Sequence, residues 1–236
     1  LVSAQHTLLL AGSGHFSDQW AIQIEGMGIA LQRTPFQEGH PFDVAAIEQA
    51  LREDTSHRIS AVLVVHTDTA SGVTSDLAAV RRAIEAAGHP ALYVVDVVAS
   101  LAASPFDMDA LGVDVALGSS QKGLMMPPGL GFVAVNAKAM AWSARHAEPR
   151  FYWDWQRRDS SNQSAKFCGT PPLAHIAGLE TAIALLEEEG LPHVWARHQR
   201  LAGAVHAAVE RWAVPGALRF HARQPETRSA SVTAIE

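Results

Sequence analysis

The chain is poor in lysine and cysteine. Its 236 residues include three lysines (Lys122, Lys138 and Lys166), fifteen arginines and one cysteine, Cys168. A single cysteine excludes an intrachain disulfide and a cysteine-built metal knuckle. The twelve histidines show no HExxH or HxH spacing, so no metal site is expected. No basic cluster exceeds a few residues and the net charge is −6, which argues against nucleic-acid binding. No apolar run reaches the roughly 18–20 residues that span a bilayer. The opening Leu1-Val2-Ser3-Ala4-Gln5-His6 lacks an initiator Met and a basic n-region, so it is not read as a signal peptide. The abrupt start at Leu1, and the stop at Glu236 just after the strand-like run from Ala230, predict a fragment of a longer polypeptide.

What is present suits a large buried core. Hydrophobic residues make up 48% of the chain and charged residues 18%, enough for one large domain or one and a half. Apolar and β-branched runs predict strands at Thr7–Ala11, Ile29–Gln32, Ala61–Val65, Leu92–Val95, Val113–Leu117 and Leu130–Val135. Unbroken runs such as Ala61–Val65 suit strands covered on both faces, as in parallel sheets. Helical spacing predicts Ser17–Gly26, Asp43–Arg52 and Ser75–Ala87, the last stopped by Gly88. Strands alternating with helices imply an α/β fold with a three-layer α/β/α arrangement and a mainly parallel sheet. Two long helices follow, Pro172–Glu189 and His193–Trp212, the second closed by Pro215. The expected division is a large domain over 1–170 and the start of a smaller C-terminal α+β domain over 171–236, with strands beginning near Leu218.

In such sheets ligands sit at the carboxyl ends of the strands. Gly12–Phe16, His66–Gly72 and Asp96 fall at those ends, and Lys122 follows a strand after a Gly-Ser-Ser-Gln turn. A lysine in a tight polar turn and an acid at a strand end fit pyridoxal 5′-phosphate (PLP) chemistry. The amine forms a Schiff base with the cofactor aldehyde, and the carboxylate keeps the pyridine nitrogen protonated. The same pair also fits a solvated loop lysine and a strand-capping aspartate. Phe16 could stack on a ring or fill the core. Thr69 offers a hydroxyl or forms a turn. Gln121 offers an amide to a phosphate or to water. Thr170 is a phosphate ligand or the cap before Pro171. His15 and Cys168 read as structural.

Three motifs in order carry a resemblance: His66-Thr-Asp-Thr-Ala-Ser-Gly-Val-Thr, Val95-Asp-Val-Val-Ala-Ser, and Gly118-Ser-Ser-Gln-Lys-Gly-Leu-Met-Met-Pro-Pro-Gly-Leu. Together they resemble the class V aminotransferases, in the serine–glyoxylate and alanine–glyoxylate branch. The likeness runs from about Leu8 to the end. It implies a fold-type-I PLP enzyme, an obligate homodimer with active sites at the subunit interface, in the cytoplasm. By resemblance Lys122 is the Schiff-base lysine, Asp96 the pyridinium partner and Phe16 the ring above the cofactor. Thr69 meets the ring hydroxyl, Val98 packs beneath the ring, and Gln121 approaches the phosphate. Thr170 matches a phosphate ligand given to the partner subunit. Phe167 stands where some members have a tyrosine with the same reach, and a phenyl ring cannot donate that bond.

The implied reaction is a ping-pong transfer of an amino group from serine or alanine to glyoxylate. The resemblance places the family's phosphate-gripping loop upstream of Leu1 and its carboxylate-binding arginine downstream of Glu236. Alternatives on the same scaffold are pyridoxamine–pyruvate and β-hydroxyaspartate aminotransferases, or an inactive truncated fragment. A desulfurase is disfavoured because Cys168 matches no mobile cysteine motif.

Overall fold

A computed structural model describes residues 5–146, 151–214 and 216–236. The chain begins β1 (Thr7–Leu10), α1 (His15–Gly26), β2 (Ala30–Arg33), α2 (Val44–Glu53) and β3 (Ile59–Val65). A small antiparallel pair follows, β4 (Thr67–Asp68) with β5 (Val73–Thr74). Next come α3 (Leu77–Ala86), β6 (Leu92–Asp96), β7 (Val115–Ser119) and β8 (Gly131–Val135). The remaining helices are α4 (Ala137–His146), α5 (Trp155–Arg158), α6 (Gln163–Phe167), α7 (Leu173–Glu189) and α8 (Leu191–Ala213). One six-stranded sheet runs β2-β1-β3-β6-β7-β8, parallel except for β8.

Alternation along the strands sends successive side chains to opposite faces. Leu9, Val62, Val64, Tyr93 and Val95 pack with Ile47, Leu51, Val80 and Ile84 of α2 and α3. Leu8, Leu10, Ala61, Leu63 and Val94 pack on the other face, with Ala21 and Ile24 of α1 and Ala139 of α4. The three-layer parallel arrangement expected from the unbroken apolar runs is thus present. Asp43 caps α2 by accepting the Ala45 and Ala46 amides, and Asp76 caps α3 by accepting the Ala79 amide.

Local differences have local causes. Helix α1 starts two residues before Ser17, at His15. The Ser17 hydroxyl instead accepts the Ser13 and Gly14 amides and donates to the Gly14 carbonyl. Strand β7 is shifted two residues beyond Val113–Leu117. At its start the Asp114 carboxylate accepts the Tyr93 amide, and at its end Gly118 and Ser119 pair with Phe132 and Gly131. The expected turn glycine and serine are therefore still strand. Near Leu218 the described residues form only an isolated bridge, Phe220 with Ile235. The proposed helix stop at Pro215 lies outside the described residues, as do Leu1–Ala4 of the opening.

Asp54, after α2, ties the lower loops together. Its carboxylate accepts the Ile59 amide at 2.6 Å, pairs with the His89 ring at 3.3 Å and takes the Ser56 hydroxyl at 3.1 Å. Burial alone would raise its pKa, but the Ile59 and Arg58 amides, with Ser56 and His89, outweigh burial and lower it. Its contribution is present above the unfolded-state pKa and lost as pH falls through the lower folded value. Asp54→Ala should reduce the unfolding free energy by about 1–3 kcal/mol. Urea denaturation at neutral pH checks this; an unchanged midpoint would contradict it.

Candidate active site

The site is built at the carboxyl edge of β3, β6 and β7. Asp96 is the last residue of β6 and pairs in register with Val65 and Leu117. The turn after it, 97–103, is drawn tight by amides bonding back to Val97 and Ser100. Ala102 in this turn has φ 64, a conformation that costs a non-glycine residue energy. Lys122 lies three residues past β7. Gly123 brings its loop against the 97–103 turn: a Cβ there would overlap the Leu101 carbonyl and lie 3.2 Å from the Ala103 amide nitrogen. Only glycine permits that approach, so the lysine-bearing loop and the turn behind Asp96 form one packed unit.

Asp96 is mostly buried, and its described partners are neutral donors. The Trp20 indole N–H reaches Oδ2 at 3.2 Å, and the Val98 amide reaches Oδ1 at 2.8 Å. Burial pushes its carboxyl above the ordinary range and the nearby Asp68 carboxylate adds to the rise, while Val98 and Trp20 oppose it. A buried acid held by neutral donors suits a cationic N–H partner, which is what a protonated pyridine ring provides. His66 supports the same turn: its ring nitrogen Nδ1 lies 2.8 Å from the Ser100 hydroxyl and its amide donates to the Asp96 carbonyl. Burial lowers the His66 ring to about 4, so at neutral pH it is an uncharged brace.

A cavity of about 420 Å³ opens beside Lys122. Thr69, Ala99, Lys122 and Gly123 line one side; Arg197 and His198 of α8 line another. Arg197 is already paired bidentately with Glu189, at 2.7 and 2.8 Å.

The structure therefore brings Thr69 and Lys122 into one cavity, with Ala99, next to Val98, in its wall. Phe16, half exposed on the first turn of α1, is tied to the residue before Thr69 through its amide and the Asp68 carboxylate, at 2.8 Å. Gln121 is exposed beside Lys122. Thr170 is not brought to this cavity; it is exposed on the turn between α6 and α7, and Phe167 ends α6. The sequence marks no role for Trp20, and it marks the 66–72 loop but not the individual roles of Asp68 and His66. Their partners lie 76, 52 and 34 residues away, and the only local signal was the helical spacing of Phe16 and Trp20.

A mainly parallel α/β sheet with an acid and a lysine at its carboxyl edge defines the fold-type-I transferase class. Solved structures agree. Pyridoxamine–pyruvate aminotransferase from Mesorhizobium loti superposes with TM-score 0.82 at 26% identity, over 100% of this chain and 59% of that one. The family model Aminotransferase class-V matches residues 2–236, and the chain belongs to that family. It is 43% identical to serine–glyoxylate aminotransferase of Methylorubrum extorquens, over 97% of this chain and 57% of the relative. It is 42% identical to L-aspartate–glyoxylate aminotransferase of Paracoccus denitrificans, with the same coverage. The chain thus spans little more than half the length of these relatives.

The residues present fit PLP: an amine on a glycine-braced loop, a hydroxyl lining the same cavity and a buried acid held by neutral donors. Asp96 should therefore titrate above ordinary aspartates in the cofactor-free chain, and PLP should move that titration to lower pH. Carboxyl ¹³C NMR reads both states; a titration that PLP leaves unmoved would contradict the assignment.

Proposed function

We propose that this chain carries the cofactor-binding part of a PLP-dependent aminotransferase that moves an amino group from a small amino acid to glyoxylate. The observation that carries this reading is the packed unit of Asp96, which ends β6, and the Lys122 loop, which follows the adjacent parallel strand β7 and rests on the turn behind Asp96 through Gly123. When bound, the cofactor supplies an electrophilic carbonyl carbon and a ring that accepts electrons. Lys122 Nζ would hold the cofactor through that carbon, and its free amine would take up the proton leaving the substrate Cα. Such proton transfer by a positioned amine contributes on the order of 10²–10⁴ in rate. Asp96 would keep a proton on the ring nitrogen, Thr69 would meet the ring hydroxyl, Phe16 and Val98 would pack against the ring, and Gln121 would serve the phosphate.

Serine or alanine is the proposed donor. The relative named for L-aspartate, at nearly the same identity as the one named for serine, favours testing a third. Glyoxylate is the acceptor shared by both names.

The assembly reading is a homodimer in the cytoplasm, in which Thr170 serves the partner's phosphate. Its support is the exposure of Thr170 and of Phe151, Tyr152 and Trp153. Among the described residues no helix is long and apolar enough to cross a membrane. Residues 1–170 form the proposed large domain and 171–236 lead into the small one; the Phe220–Ile235 bridge is compatible with that division.

Absorption spectroscopy with PLP tests the function. The cofactor band should bleach on adding L-serine or L-alanine and return with glyoxylate. A band that serine, alanine and L-aspartate all leave unchanged, or that glyoxylate fails to restore, would contradict it.

A further inference from the structure

Asp68 is buried, with 1% of its surface exposed, and its described partners are backbone amides. Oδ2 accepts the Phe16 amide at 2.8 Å and Oδ1 accepts the Ala70 amide at 2.9 Å. Its own carbonyl accepts the Gly72 amide at 2.8 Å. The first bond fixes the start of α1 and the other two fix the turn that carries Thr69. Helix α1 has Gly14 at its N-cap, a residue with no side chain to satisfy the free amides of the first turn. Asp68 supplies that acceptor from 52 residues away, and its negative charge suits the helix N-terminus. The fit is close. Gly14 has φ 140, and a Cβ on it would lie 2.9 Å from Asp68 Oδ2.

The geometry points to Asp68 as a positioning residue that locks the α1 start to the Thr69 turn, so that Phe16, Trp20 and Thr69 are set by one carboxylate. The role in cofactor binding rests on the function proposed above; the lock itself does not. Trp20 lies one turn beyond Phe16 and donates to Asp96, so the lock extends to the acid under the ring. A carboxylate is required because two amides point at two oxygens. An asparagine offers one oxygen, and its NH₂ would face an N–H donor. The groups acting on Asp96 are the Trp20 indole from α1, the Val98 amide from its own turn and the Asp68 carboxylate from β4.

The test is NMR on the cofactor-free chain, comparing wild type with Asp68→Asn. The variant should keep the far-UV circular dichroism of wild type. Its Phe16 amide should exchange faster, and its Asp96 carboxyl should titrate at lower pH because a like charge has been removed. PLP affinity should fall about tenfold or more. A folded variant whose Asp96 titration and Phe16 exchange match wild type would overturn the inference. If Asp68→Asn does not fold, wild type decides: the Phe16 amide should be protected from exchange as a hydrogen-bonded amide, and exchange at the rate of a free helix-end amide would overturn the lock. Failure of wild type to bind PLP, with the NMR results as expected, would sink the proposed function and leave the lock standing.

Discussion

The molecule depends on keeping an acid at the end of a strand covered on both faces. The register Val65–Asp96–Leu117 places Asp96 where the apolar layers give way to the carboxyl edge of the sheet. Two apolar clusters hold β3 and β6 in place, and a shift of one residue would turn every alternating side chain to the wrong layer. Burial makes the ionised acid costly, and the neutral donors Trp20 and Val98 meet that cost only in part. A cationic partner would complete the balance, and the protonated ring proposed for Asp96 is such a partner.

Rigidity around this acid comes from interlocking loops. His66 braces the turn behind Asp96 through Ser100, and Gly123 lets the Lys122 loop rest against that same turn. Asp68 links α1 to the Thr69 turn. Each device replaces a flexible loop contact with a directed bond or a close backbone approach. This is how mobile connections hold reacting groups in fixed relation. Lys122 itself remains accessible, in keeping with the role proposed for it.

Much of this was legible in the chain because its signals are local. The unbroken run at 61–65, the acid closing 92–95 and the Gln-Lys-Gly turn each announce themselves within a few residues. Asp68, Trp20 and His66 did not, because their roles arise only when β3, β6 and α1 meet at one edge. In the sequence Asp68 is simply the neighbour of Thr69 within the 66–72 loop, and nothing local marks a role for Trp20. Boundary errors had the same origin: β7 starts late because the Asp114 side chain takes the Tyr93 amide, a bond across 21 residues. Thr170 is a different case. The resemblance alone gives it a role, toward a neighbouring subunit, and the single chain shows it exposed between α6 and α7.

The central claim is that Lys122, of three lysines, is the amine that bonds the cofactor. The most direct measurement is to incubate the chain with one equivalent of PLP, reduce with borohydride, digest, and locate the pyridoxyl group by mass spectrometry. Modification is expected at Lys122, lost in Lys122→Ala and retained in Lys138→Ala and Lys166→Ala. Modification at Lys138 or Lys166 that persists in Lys122→Ala would contradict it.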